Sequence, residues 1–246
     1  MTMEKQVNIA GYLDSTYLKN SAEAGVSEIE TKEIVINAIK EAIDAKFACI
    51  MIRSEFIVIA KELIEKSKSK LKIGTVVDFP FGNSTTEQKI IEAKSAIESG
   101  AYDIDYVCDY NAFKRGTFDK FDNDIIEGTS LVLENKKIVK WIIETGALSV
   151  DEIRDIAKRI STLVHSNFPE NANKVFIKTS TGYYGGYGAT VKDVKTIKSV
   201  AGNLQIKASG GISNLNDCLE LIKAGATRIG TSKAIFIYKE KEENEF

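Results

Sequence analysis

Short apolar runs alternate with longer amphipathic ones along the whole chain. The short runs are rich in β-branched and aromatic residues, the types that fill strands. They are "IAGYLD" (9–14), "FACIMI" (47–52), "LKIGTVVDF" (71–79), "DIDYVCD" (103–109), "IVKWIIET" (138–145), "KVFIKTS" (174–180), "LQIKAS" (204–209) and "TRIGT" (227–231). Between them lie helical patterns, as with Ile34, Ile39 and Ile43, or Ile90, Ile91, Ala93, Lys94 and Ile97. Ser84 with Glu87 and Ser149 with Glu152 have the spacing of a capping box, and Gly100 and Gly225 sit where helices should stop. Pro80 and Pro169 both fall outside the helical patterns.

Eight strands, each followed by a helical pattern, demand parallel pairing through right-handed crossovers. At 246 residues, eight units of roughly 30 residues match a closed (β/α)8 TIM barrel, typically about 250 residues long. No Gly/Ser/Pro-rich linker divides the chain, so one barrel domain spanning 1–246 is expected. A doubly wound open sheet is the alternative, but no GxGxxG follows the first strand to support dinucleotide binding.

Two of these strands end on a lysine. "VFIKTSTG" places Lys178 at the end of the sixth, and "QIKASGG" places Lys207 at the end of the seventh, the end at which barrels build their active sites. Neighbouring strands lie about 4.8 Å apart. Two inward ammonium groups roughly 5 Å apart, at an effective dielectric of about 20, repel by about 3 kcal/mol. That corresponds to a drop of about 2 pKa units for one of them, and desolvation acts the same way. The result is a neutral amine able to attack a carbonyl. The plainer reading is that each lysine snorkels out at the rim or pairs with an acid.

Acids are available. Asp103, Asp105, Val107 and Asp109 share one face of the fourth strand by its period of two. Asp105 is expected at the barrel mouth, and Asp103 at the opposite rim. Asp14 ends the first strand, as a turn cap or a site residue. Glu144 ends the fifth, in the site or in a hydrogen-bond network. After strands six, seven and eight come "STG" (180–182), "SGGIS" (209–213) and "IGTS" (229–232). Glycines there let backbone N–H groups approach an anion, and barrels commonly bind phosphate in that region.

Composition narrows the picture further. Lysine and arginine number 33 against 35 acids, a net charge of −2 with the signs interspersed, which disfavours a nucleic-acid surface. No apolar run approaches the roughly 18 residues of a membrane span, and "MTMEKQVNIAGYL" lacks the apolar core of a secretion signal. Cys49, Cys108 and Cys218 are odd in number and widely spaced, fitting reduced thiols in the cytoplasm rather than a disulfide frame or a zinc site. His165 is the only histidine, which disfavours a Ser-His-Asp triad. Trp141 reads as packing, and the tail "YKEKEENEF" (238–246) as a solvated, fraying end.

Taken in order, "LDST", "VVDFPFGNSTTEQKIIEAKSAIESGAYDIDYV", "WIIETG", "FIKTSTGY", "IKASGGI" and "ATRIGTS" resemble the deoxyribose-phosphate aldolase family over nearly the whole chain. The resemblance implies a class I, metal-free lyase of deoxyribose catabolism. It would reversibly cleave 2-deoxy-D-ribose 5-phosphate into D-glyceraldehyde 3-phosphate and acetaldehyde, with no cofactor. It further implies that Lys178 forms the Schiff base, that Lys207 lowers its pKa, and that Asp105 takes part in proton transfer with a bound water. Gly182, Gly210, Gly211, Gly230 and Ser232 fall where the family's loops hold phosphate, and Asp14, Thr16 and Thr181 complete the substrate-binding set. The implied partner is a small phosphosugar, with a homodimer as a candidate assembly. The chain departs from the family pattern at Ser213, where an arginine is common, at Lys233 in place of a small residue, and at Asp109 and Tyr110. Phe246 stands at the end, where some members have a tyrosine. A Schiff-base aldolase for another phosphorylated sugar, a pyridoxal-phosphate barrel and a non-catalytic phosphosugar-binding barrel are the alternatives.

Overall fold

The computed structural model describes residues 7–243, so Phe246 lies outside the described residues. Eight parallel strands close into a barrel in sequence order: β1 Leu13–Tyr17, β2 Cys49–Ile52, β3 Lys72–Val77, β4 Asp103–Val107, β5 Ile138–Ile142, β6 Val175–Lys178, β7 Gln205–Ser209 and β8 Arg228–Thr231. Each leads into a major helix: α1 Glu28–Asp44, α2 Ile57–Ser67, α3 Thr86–Ser99, α4 Phe118–Glu134, α5 Val150–Asn167, α6 Val191–Lys198, α7 Leu215–Ala224 and α8 Ala234–Glu243. The expected (β/α)8 architecture is the observed one. No helix among the described residues is long and apolar enough to cross a membrane.

The period of two divides every strand between two environments. Ile50 and Ile52, Ile104 and Tyr106, Val139 and Trp141, Val175 and Ile177, and Ile206 and Ala208 face outward into one continuous apolar core beneath the helices. Trp141 is a packing residue, as its sequence context suggested. It stacks on Tyr106 at 4.6 Å and donates its indole N–H to Thr129 Oγ1 at 3.0 Å. The alternate positions are different. Among the described residues, Cys49, Met51 and Val76, with Leu18, form a small apolar cluster there, and Val107, Ile142 and Phe176 are buried in the same phase. Asp14, Asp103, Asp105, Lys140, Lys178 and Lys207 are buried as well. Barrel interiors are ordinarily filled by branched apolar side chains, so this one is charged where it should be oily.

Several local expectations shift. The first strand starts at Leu13 rather than Ile9, because Ile9–Tyr12 forms a 3-10 turn whose Ile9 and Ala10 pack into the core. Asp14 therefore lies inside β1 instead of ending it. The capping box of α3 moves one residue, to Thr85 with Gln88, because Asp78 captures Ser84: its carboxylate accepts from Ser84 N at 2.8 Å and Oγ at 2.7 Å. The box at Ser149 and Glu152 forms as read, and Gly100 and Gly225 close their helices with φ of 121° and 120°. The tail does not fray from Tyr238 onward. α8 continues to Glu243, with Ile237 and Lys241 buried and Tyr238 edge-on to Phe47 at 5.7 Å. All three cysteines are buried and free.

Candidate active site

Strand pairing sets the site. Lys178 on β6 stands level with Lys207 on β7, and Lys207 level with Arg228 on β8. On β4 and β5, Asp105 stands level with Lys140. All point inward, and Asp105 is their hub. Its Oδ2 accepts from Lys178 Nζ and from Lys207 Nζ, each at 2.9 Å, while its Oδ1 accepts from Lys140 Nζ at 3.0 Å. Below it, Lys140 Nζ also donates to Asp103 Oδ2, and Arg228 spans Asp14 at 2.6 Å and Asp103 at 3.1 Å. Lys207 Nζ reaches Asp14 Oδ2 at 2.7 Å. Asp103 is thus fully buried in the network rather than at the opposite rim, since Lys140 and Arg228 balance its charge there.

Burial opposes every charge in this set, and the partners decide the outcome. For Asp105, burial would raise the carboxyl, but Lys140, Lys178 and Lys207 together hold it well below the usual carboxylate range. Asp14 is held low in the same way by Lys207, Arg228 and Lys140. Lys140 is kept firmly protonated, because Asp103, Asp105 and Asp14 outweigh its burial. Lys178 goes the other way. Burial is the largest influence and lowers it, Asp105 raises it and Lys207 lowers it again, leaving the amine at about 8. The depressed amine expected from sequence is present, but desolvation leads and lysine–lysine repulsion comes behind it. The charges agree with this. Four cations (Lys140, Lys178, Lys207, Arg228) face three carboxylates (Asp14, Asp103, Asp105), so the interior holds one cation in excess, which favours loss of a proton from Lys178.

Above the network opens a cavity of about 530 Å³. Lys178 and Lys207 line it, as do Thr16 and Thr181. So do Gly182, Gly210, Gly211 and Ser232 from the loops after β6, β7 and β8, and Gly230 from β8 itself. Asp14 and Asp105 lie beneath and reach it through the two lysines. Gly182, Gly210 and Gly211 have φ of 83°, 90° and 71°, the left-handed region that favours glycine. Gly230 has a different requirement: a Cβ there would lie 2.9 Å from Lys207 Cε, so its bareness gives the lysine stem room. Ser213 and Lys233 both line the cavity, which puts these two departures from the family pattern at the site itself.

Two acids lie elsewhere than read. β4 ends at Val107, and Asp109 leaves the inner face to cap a short helix, Tyr110–Lys114, through Ala112 N at 2.7 Å. It also pairs with Lys120 at 2.8 Å. Glu144 falls beyond the end of β5, in the turn that follows. Sequence reading passed over Lys140 and Arg228. The signal for Lys140 was present, an inward-phase charge with apolar neighbours on both sides in "IVKWII", as for Asp105 in "DIDYV". Asp14, Cys49 and Asp103 bring their ligand atoms within 4.8 Å of one another, the one such group among the described residues. Its carboxylates already face Lys140, Lys207 and Arg228, so a divalent ion would meet three cations. The set fits an ion-pair network rather than a metal.

No family model matches the chain. It is 36% identical over 232 residues to the deoxyribose-phosphate aldolase of Thermococcus gammatolerans, covering 94% of this chain and 95% of that protein. It is 38% identical over 239 residues to that of Staphylococcus epidermidis, covering 97% and 99%. Among solved structures, an aldolase called QR15 superposes with a TM-score of 0.79 at 30% identity over 98% of both chains. The tetrameric deoxyribose phosphate aldolase of Aeropyrum pernix gives a TM-score of 0.78 at 26% identity, over 96% of this chain and 92% of that one. With full-length relatives at this identity, the chain belongs to the deoxyribose-phosphate aldolase family.

Proposed function

We propose that this chain, acting as one barrel domain, reversibly cleaves 2-deoxy-D-ribose 5-phosphate to D-glyceraldehyde 3-phosphate and acetaldehyde through a Schiff base on Lys178. The observation that carries this reading is a buried lysine, its amine lowered to about 8, lining the cavity and sharing one carboxylate oxygen with a second lysine. At pH 7 roughly a tenth of such an amine is neutral, against about one part in 2,500 for a lysine near 10.4. The neutral amine attacks the C1 aldehyde of the open-chain sugar, and loss of water gives an iminium. The C3 hydroxyl then loses its proton, the C2–C3 bond breaks, and its electron pair moves into the iminium to form an enamine. Glyceraldehyde 3-phosphate leaves, C2 is protonated, and hydrolysis frees acetaldehyde and the lysine. Asp105 and Lys207, joined at 2.9 Å, are placed to pass these protons.

The glycine loops offer backbone N–H groups to the phosphate, and Lys233 adds a cation to the same cavity. Because Ser213 and Lys233 both line it, a Schiff-base aldolase for another phosphorylated sugar is the second reading. A turnover assay separates them. Glyceraldehyde 3-phosphate release from deoxyribose 5-phosphate is expected to exceed that from other pentose and hexose phosphates, and no release would end the first reading. A homodimer in the cytoplasm is proposed with it, the buried free thiols supporting a reducing compartment. Light scattering of the purified chain checks the assembly.

A further inference from the structure

Glu144 is an acid placed at some cost. Its backbone is left-handed, φ 56° and ψ 68°, at the start of the turn Thr145–Ala147, a conformation that disfavours a residue with a Cβ. It is 1% exposed, and its Oε1 is buried with no hydrogen-bond partner. Its Oε2 accepts from Thr181 N at 3.2 Å and from Thr181 Oγ1. Thr181 Oγ1 in turn accepts from Tyr183 N at 3.0 Å. The neighbouring residues tie the same two loops: Thr145 N donates to Thr179 O at 2.9 Å, and Thr145 Oγ1 lies 3.1 Å from Ser180 Oγ. The end of β7 joins them, Ser209 Oγ donating to Ser180 O at 2.6 Å. Glu144 does not line the cavity, whereas Thr181, Gly182 and Tyr183 all do.

We infer that Glu144 is a positioning residue for the substrate. Its carboxylate clamps the backbone and hydroxyl of Thr181, so that Gly182 and Tyr183 are presented to the phosphosugar in one conformation. The inference rests on the aldolase reading above. An uncharged apolar residue at 144 would avoid both the unmet oxygen and the buried charge, but it would leave the two Thr181 donors without their acceptor. The clamp therefore acts on binding. It makes no hydrogen bond or ion pair with Lys178 or Asp105 and meets Lys178 only as a weaker charge interaction behind burial and the Thr181 hydrogen bonds, so the chemistry at the amine should largely proceed once the substrate is held.

The test is steady-state kinetics with deoxyribose 5-phosphate on the full chain and on Glu144→Ala, Glu144→Gln, Thr181→Val and the Ala/Val double variant. Glu144→Ala should raise KM about tenfold or more, the effect of losing hydrogen bonds to a charged group, with kcat within about threefold of the parent. Glu144→Gln keeps an oxygen that can accept from both Thr181 donors and should restore KM to within about threefold. Thr181→Val should move KM in the same direction as Glu144→Ala, and the double variant should be no worse than the poorer single one, because both break one contact. An unchanged KM in Glu144→Ala, additive losses in the double variant, or a Gln variant as poor as the Ala variant overturns the proposal. So does a parallel fall of kcat and melting temperature with KM unmoved, the sign of a merely structural role. If Glu144→Ala does not fold, Thr181→Val and Glu144→Gln decide the matter with the carboxylate's backbone position intact. A parent without turnover overturns the aldolase reading and this inference with it, whereas an active parent with an unmoved KM in the variants overturns this inference alone.

Discussion

At the residue scale the chemistry turns on how one carboxylate is shared. Asp105 raises the Lys178 amine and Lys207 lowers it, both acting against a background set by burial. Replacing either should therefore shift the amine in opposite directions. Lys207→Leu removes a like charge, so Lys178 should titrate higher, by less than the roughly 2 units that repulsion alone suggested. Its neutral fraction at pH 7 falls, and part of the lost turnover should return at alkaline pH. Asp105→Asn removes the favourable charge, so Lys178 should titrate lower and form its imine at lower pH, while turnover collapses for want of a proton carrier. Trapping with acetaldehyde and borohydride across pH 5–10, with the labelled peptide identified by mass spectrometry, reads both effects. A label on Lys207, or parallel shifts in the two variants, contradicts the assignment. Lys178, Lys207 and Asp105 were legible because each breaks an apolar strand. Lys140 and Arg228 follow the same phase but were passed over. Periodicity alone does not tell which face of a strand buried on both sides points into the barrel, and a lysine's ordinary place is the surface.

At the scale of elements, α3 shows where pattern and packing part. Its apolar positions Ile90, Ile91, Ala93 and Ile97 suggested the inner stripe, yet Ile91 is 62% exposed and the buried positions are Lys89, Ala93 and Ala96. Lys89 crosses to α4, its Nζ 2.6 Å from Asp124 Oδ2, and donates to Gly82 O at 3.0 Å and Val107 O at 3.2 Å. It thereby ties the β3 and β4 loops to two helices. Lys89→Met keeps the volume but leaves Asp124 without its main partner. The expected loss is about 3 kcal/mol, a fall in melting temperature on the order of 10 °C for a chain of this size. Turnover per folded molecule should be kept at lower temperature. An unchanged melting temperature would show that Lys120, 3.5 Å from the same carboxylate, suffices. Eight strands and eight major helices could be read from sequence because their periods differ. The ends could not be, because tertiary partners set them: core packing of Ile9 and Ala10 delays β1, and Asp78 moves the cap of α3 from Ser84 to Thr85.

For the molecule as a whole, the filling of the barrel decides what the enzyme needs from outside. On the proposed mechanism the iminium supplies the electron sink, and the carboxylates of Asp14 and Asp103 face cations. Turnover should thus survive prolonged treatment with a strong chelator, and a loss restored by Zn²⁺ would contradict the mechanism. The same filling places two sets of charges under different rules. Lys178, Lys207, Asp105 and Asp14 have side chains at most 4% exposed, and dissolved ions screen buried pairs weakly. Lys19 and Lys233 line the same cavity but stand in water, where the Debye length falls from about 30 Å at 0.01 M to about 10 Å at 0.1 M ionic strength. Added sodium chloride should raise KM for the dianionic substrate while the midpoint of the pH–rate profile stays in place. On the proposed mechanism, the reactive amine is then tuned independently of the electrolyte around it, and only the capture of substrate varies with the medium.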